Sequence, residues 1–207
     1  MTQGFPAVRL AIMNPASSPG TKIDSNYVSY VNAARAAGLT VIGYVTSSYG
    51  AASVESLKAQ IDKYYSWYNV DGIFFDEGSN NCTTANYYAT LNAYVKSKGG
   101  KAVTIINPGT NTQECFIATA DIICNFEGPY SSYQSWSPYS WVHKYDANRF
   151  WHIVHTTSES NMPQAISLSR QRKGGWIYVT PDVMENPYDT LPPTSYWERM
   201  KTEVAAP

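Results

Sequence analysis

Short apolar runs alternate with stretches of helical period along nearly the whole chain. Residues 7–15, "AVRLAIMNP", read as a strand stopped by a proline, and 40–47, "TVIGYVTS", as a β-branched strand. Similar runs recur at 71–77 ("DGIFFDE"), 101–109 ("KAVTIINPG"), 121–130 ("DIICNFEGPY"), 149–157 ("RFWHIVHTT") and 175–182 ("GWIYVTPD"). Between the first three, the spacing predicts a helix over 25–38, opened by Ser25 and closed by Gly38, and another over 53–68. In the second helix Ser53 is the expected N-cap, and Glu55 sits in the first turn, where its charge suits the helix dipole. Val54, Leu57 and Ile61 mark its apolar face. Residues 83–99, 162–174 and 195–204 predict three further helices, with a short helical segment between the fourth and fifth strands.

Short apolar strands joined by helical stretches define βαβ units, and so a parallel sheet buried on both faces. Seven such strands fit either an open doubly wound sheet or a closed barrel. The first strand–helix turn has no glycine-rich phosphate fingerprint and no P-loop sequence occurs, which weakens the nucleotide-binding open sheets. The expected fold class is therefore α/β: a single compact (β/α)8 TIM-like barrel covering residues 1–207, irregular at its eighth strand. Met184 to Pro187 is the only candidate for that eighth strand, and it is weakly marked.

Composition narrows the partners. Lys plus Arg number 15 against 16 Asp plus Glu, a formal net charge of -1, and no basic block points to nucleic acid or an anionic membrane. Charged residues are 15% of the chain, below the roughly 25% usual for soluble domains. Polarity comes instead from Ser, Thr, Asn and 17 tyrosines, and rings bearing hydroxyls suit the apolar faces and hydroxyl rims of sugars as well as they suit a core. No apolar run approaches the ~20 residues of a membrane span, and the N-terminus carries no signal-peptide pattern. Cys124 reads as a buried thiol. Cys82 and Cys115 each follow a strand-like run, and the sequence leaves open whether they pair.

In parallel α/β folds, active sites form at the C-terminal ends of the strands. Read in order, those ends carry Asn14, Tyr44 and Thr46, Asp76 and Glu77, Asn107, Glu127 and Tyr130, His155, then Thr180 and Asp182. Ordinary polar loops account for most of these, but not for carboxylates abutting the apolar runs "GIFF" and "ICNF". Two strands apart, Asp76 or Glu77 can face Glu127 across the mouth of a barrel, and paired carboxylates are the working parts of most glycoside hydrolases. Other chemistries fit less well. No "HExxH", paired "CxxC" or "GxSxG" is present, and His152 and His155 fall on opposite faces of one strand, so no metal site is expected. Trp136, Trp141 and Trp176 read equally as stacking platforms or as packing residues.

"IMNPASSPG", "VIGYV", "VDGIFFDE", "TIINPG" and "NFEGPY", in that order at successive strands, together resemble the spherulin-4-like proteins, glycoside hydrolase family 135, over residues 7 to 182. The resemblance implies a (β/α)8 barrel that cleaves within α-1,4-linked N-acetylgalactosamine stretches of galactosaminogalactan, a fungal exopolysaccharide. It also implies three functional carboxylates, here Asp76, Glu77 and Glu127. Asp76 is the expected nucleophile and Glu127 the acid/base of a retaining mechanism, with Glu77 tuning Asp76 or holding a substrate amine or hydroxyl. Asn14, Tyr44, Asn107, Tyr130, His155 and Tyr178 are the expected substrate contacts, with Tyr44, Asn107, Tyr130 and Tyr178 lining an open groove.

No metal or organic cofactor is called for. The expected protein is a monomer outside the cell or at its surface, its targeting segment lying outside this sequence, with a polysaccharide as partner. Two other readings share the scaffold: a non-catalytic polysaccharide-binding or spore-wall protein, and a glycosidase for another amino-sugar polymer.

Overall fold

A computed structural model describes residues 7–206. Its centre is one curled sheet of seven strands: β1 (Leu10–Met13), β2 (Thr40–Thr46), β3 (Gly72–Asp76), β4 (Val103–Ile106), β5 (Ile122–Pro129), β6 (Phe150–His155) and β7 (Trp176–Val179). Every neighbouring pair is parallel, and strand order in the sheet equals order along the chain. Parallel neighbours need a crossover between them, supplied mainly by helices α1 (Ser25–Ala36), α2 (Val54–Lys63), α3 (Ala85–Lys96), α4 (Tyr130–Ser135) and α5 (Met162–Gln171); α6 (Thr194–Ala205) follows β7. A short 3₁₀ helix, Glu114–Ala118, joins β4 to β5.

The eight-stranded expectation is corrected to seven among the described residues. Residues 180–193 form no strand, and no ladder pairs β7 with β1. The stretch around Met184 to Pro187 lacks the apolar alternation needed to fill an inner and an outer face at once. Where a ladder would close the ring, the Arg9 guanidinium instead lies over the Trp176 ring, 4.9 Å from its centroid.

The strands bury both faces, as their unbroken apolar runs require. Ile42, Phe74, Ile105 and Ile122 meet inside the curl, together with Leu10, Ile12, Trp151 and Trp176. The opposite faces, among them Val41, Ile73, Phe75, Ile106 and Ile123, pack under the helices with Leu57 and Ile61 of α2. Burying each of those last two side chains contributes about 1.5–3 kcal/mol. Ser53 caps α2 as expected, accepting from Ser56 N–H at 3.2 Å, whereas α1 is capped by Asp24 rather than Ser25. Beyond Lys63 the second helix widens into a π-helical turn, Tyr64–Tyr68. Tyr64 lies flat on β2 there because Gly43 has no side chain: a Cβ would meet the ring at 2.5 Å. Its hydroxyl donates to the Tyr44 carbonyl at 2.6 Å and so fixes the end of β2.

Strand β5 carries the irregularity that matters most. Cys124 stands opposite Trp151 and Phe126 opposite His152, leaving Asn125 as an extra residue in a β-bulge. Ile122 and Cys124 face inward, and strict alternation would turn Phe126 inward and Glu127 out. With the bulge, Phe126 packs outside against Tyr133 and Trp136, and Glu127 points into the mouth. Nearby, the sequence left the pairing of Cys82 and Cys115 open. The structure joins them, Cα to Cα 5.9 Å, tying the segment after β3 to the 3₁₀ helix after β4.

Candidate active site

The C-terminal ends of β2 to β5 bring four side chains into one network. Asp76 is the last residue of β3 and shares the inner face with Phe74. Asn107, one residue past β4, lies between the two acids: its Nδ2 donates to Asp76 Oδ1 at 2.8 Å and to Glu127 Oε2 at 2.6 Å. Those two oxygens therefore lie no more than about 5.4 Å apart, the two bonds laid end to end. Asn107 is buried, and its Oδ1 has no partner among the described residues. The amide is oriented by the carboxylates, since reversing it would set oxygen against oxygen.

Tyr44 completes Asp76 from the other side, its hydroxyl donating to Oδ2. Burial, then the hydrogen bond to Asp76 and the nearby charges of Glu77 and Glu127, push this phenol far above the usual range, so it stays a donor. Gly109, with φ at +66°, curls the loop after β4 so that its carbonyl accepts from Glu127 N–H at 3.0 Å. Both acids are thus held by backbone and side chain together.

Glu77 turns away from this pair. Its φ is +49°, a left-handed value uncommon outside glycine, and its exposed carboxylate accepts from Thr46 Oγ1 at 2.5 Å. Its backbone is clamped by the loop after β2. Tyr49 N–H donates to the Glu77 carbonyl at 2.6 Å, and Ser47 Oγ reaches the carbonyls of Asp76 and Glu77 at 2.9 and 3.0 Å.

The other expected contacts divide. His155 is buried on the inner face, Nδ1 sharing a hydrogen bond of 2.8 Å with Thr156 Oγ1; burial holds it below the usual imidazole range, opposed by the charge of Glu127. Tyr178 lies half-buried on the same face. Asn14 is exposed, and its carbonyl accepts from the Tyr27 hydroxyl at 3.5 Å. Tyr130 corrects the sequence reading. It opens α4, is 5% exposed, and donates to Gln164 Oε1 on α5 at 2.6 Å, so it packs helices together rather than lining the mouth. The tryptophans also serve packing. Trp141 is buried, Trp136 stands among Phe126, Tyr133 and His152, and Trp176 donates to the Asn148 carbonyl near the strand starts.

Tyr188 was missed by the sequence reading. It comes from the loop after β7, 39% exposed, its ring edge-on to Tyr178 at 6.3 Å. "ENPYDT" has no periodicity; an aromatic in a turn just past a strand end was the available signal. Among the described residues no group of acidic, histidine or cysteine side chains is arranged to hold a metal ion.

A curled parallel sheet with two carboxylates bridged at its C-terminal rim defines the class: an α/β fold whose site suits acid, base or nucleophile chemistry by a carboxyl pair. The model of the spherulation-specific family 4 matches residues 3–204, and the chain belongs to that family. It is 35% identical to Spherulin-4 of Physarum polycephalum over 95% of this chain, and spans 62% of that relative's length. Aspergillus clavatus Sph3, whose crystal structure was determined in complex with GalNAc, shares the fold: TM-score 0.81 at 21% identity, over 95% of this chain and 85% of that one.

Proposed function

We propose that the chain is an endo-acting, retaining glycoside hydrolase that cleaves within α-1,4-linked N-acetylgalactosamine stretches of galactosaminogalactan. The observation that carries this reading is the double hydrogen bond of Asn107, which holds facing oxygens of Asp76 and Glu127 within about 5.4 Å. Retaining enzymes set their carboxyls roughly 5–5.5 Å apart, while inverting ones need about 6.5–9.5 Å to admit a water. Support for an amino sugar comes from the shared fold with a protein crystallised with GalNAc.

In this reading Asp76 attacks the anomeric carbon while Glu127 gives its proton to the leaving glycosidic oxygen. A glycosyl ester on Asp76 results. Glu127, now a carboxylate, takes a proton from water as that water displaces Asp76 and restores both groups. Tyr44 and Asn107 fix the attacking carboxylate, and Glu77 contacts a neighbouring hydroxyl or amine. The whole chain acts as one catalytic domain on a polysaccharide outside the cell or at its surface, as a monomer and without a cofactor.

The test is incubation with galactosaminogalactan and mass spectrometry of the released oligosaccharides. A ladder of hexosamine oligomers from the first minutes is expected; single sugars alone would mean exo action. Asp76→Asn and Glu127→Gln should each lower kcat by a factor on the order of 10³ or more in a folded protein. Early proton NMR should show products that keep the α configuration, and an inverted product would remove Asp76 as nucleophile.

A further inference from the structure

The loop after β2 is held in a conformation that its own residues disfavour. Ser48, Tyr49 and Gly50 have φ of 47°, 55° and 88°, three left-handed residues in succession. Glycine adopts this region freely, whereas a tyrosine brings its Cβ against the backbone there and is strained. Hydrogen bonds hold the shape. Gly50 N–H and Ala52 N–H donate to the Ser47 carbonyl at 2.9 and 3.2 Å, and Ala51 N–H donates to that of Ser48 at 2.9 Å. Ser47 is buried, its hydroxyl sharing a bond of 2.8 Å with that of Tyr88, and the Tyr87 hydroxyl donates to the Ala52 carbonyl at 2.8 Å. Core packing does not account for the strain, because Tyr49 is 66% exposed.

What the loop achieves is position. Tyr49 N–H donates to the Glu77 carbonyl at 2.6 Å, and Thr46 Oγ1 donates to the Glu77 carboxylate at 2.5 Å. The residue next to Asp76 is thereby gripped at both ends from the β2 side. Exposed apolar side chains gather at the same rim, Ile23 after β1 and Val183, Met184 and Leu191 after β7.

We infer that Tyr49 is a stacking platform for a sugar unit bound beside the cut, its ring taking the apolar face of a galacto-configured pyranose whose hydroxyl or amine meets Glu77. This role deepens the glycosidase reading above and rests on it for the identity of the polymer. In such a sugar the axial 4-oxygen leaves the C–H groups at C3, C4 and C5 on one face, and that face packs on an aromatic ring. An exposed ring on a strained backbone that its surroundings over-determine is organised for a ligand before the ligand arrives.

Glu127→Gln keeps the polymer intact during a binding measurement. In that folded background, Tyr49→Ala should weaken binding of galactosaminogalactan oligosaccharides by a factor of roughly five or more in isothermal titration, and Tyr49→Phe by less than about twofold. Urea unfolding of the single variants adds a readout that a packing role would move the other way. Tyr49→Ala should unfold at the wild-type midpoint. Tyr49→Gly, which also lacks the ring but relaxes the backbone, should unfold at a higher urea concentration than Tyr49→Ala.

Wild-type affinity in the Tyr49→Ala protein overturns the platform. So does a lowered midpoint for that variant, which would make the ring part of the packing, and so does a Tyr49→Gly variant no more stable than Tyr49→Ala, which would remove the strain. Weakened binding in a protein whose wild type cleaves nothing supports the platform and removes the glycosidase reading alone. Cleavage by the wild type, with affinity unmoved by Tyr49→Ala, overturns the platform alone.

Discussion

Asn107 illustrates how one side chain sets the character of the site. Sequence reading placed it among the substrate contacts because it ends an apolar run, which locates a residue but says nothing of its partners. In the structure its amide donates one proton to each carboxylate. Asn107→Ala removes both bonds and leaves the two carboxyl groups unbridged. Its kcat should fall roughly a hundredfold, with the folded state retained by circular dichroism. Gly109 offers a contrast in magnitude. A Cβ there would stand 3.5 Å from the Cβ of Glu127, an ordinary contact, so Gly109→Ala costs backbone strain rather than a clash. The unfolding free energy should drop by about 1–2 kcal/mol in urea titration.

At the scale of elements, the strands were legible because each is buried on both faces and leaves an unbroken apolar run. Helix α2 was legible through its cap and spacing. What the sequence hid depends on local backbone geometry. Nothing in "IICNFEG" marks Asn125 as a bulge, yet the bulge decides which way Glu127 points. Deleting Asn125 sets Phe126 directly after Cys124 in the pairing the bulge already gives them, so Glu127 should still face inward and a folded deletion variant should keep turnover on galactosaminogalactan. Tyr130 was misplaced for a related reason: β5 passes straight into α4, and the first residue of that helix packs on α5 instead of the rim. The disulfide is an element-level brace. Cys82 and Cys115 are 33 residues apart, and closing a loop of that length contributes about 3–4 kcal/mol by restricting the unfolded chain. The Cys82→Ser, Cys115→Ser double variant should therefore unfold at clearly lower urea concentration.

For the whole molecule, acid stability turns on an imidazole outside the site. His152 is fully buried on the outer face of β6, Nδ1 sharing hydrogen bonds with the Tyr133 hydroxyl at 2.7 Å and Ser169 Oγ at 3.0 Å. Burial, aided by the charge of Arg172, lowers its pKa from 6.5 to about 3. The folded protein keeps this ring neutral, while the unfolded chain protonates it below about 6.5. Stability is therefore unaffected by His152 above that pH. It is lost as pH falls from 6.5 toward 3, by up to about 1.4 kcal/mol per pH unit. Thermal unfolding between pH 7 and 4 should show the midpoint falling. A folded His152→Gln variant should show a shallower fall over the same range.

Strand order along the sheet matches strand order along the chain, which gives the molecule a direction in time. As a polypeptide emerges from the ribosome, each new strand can be laid on an edge already formed, and no later strand must be threaded between earlier ones. Asp76 and Asn107 are in place before β5 arrives with Glu127. Tyr188 follows, on the last loop before α6. A nascent chain thus carries one member of its carboxylate pair for 51 residues of synthesis before the other is added, with the last two strands still to come.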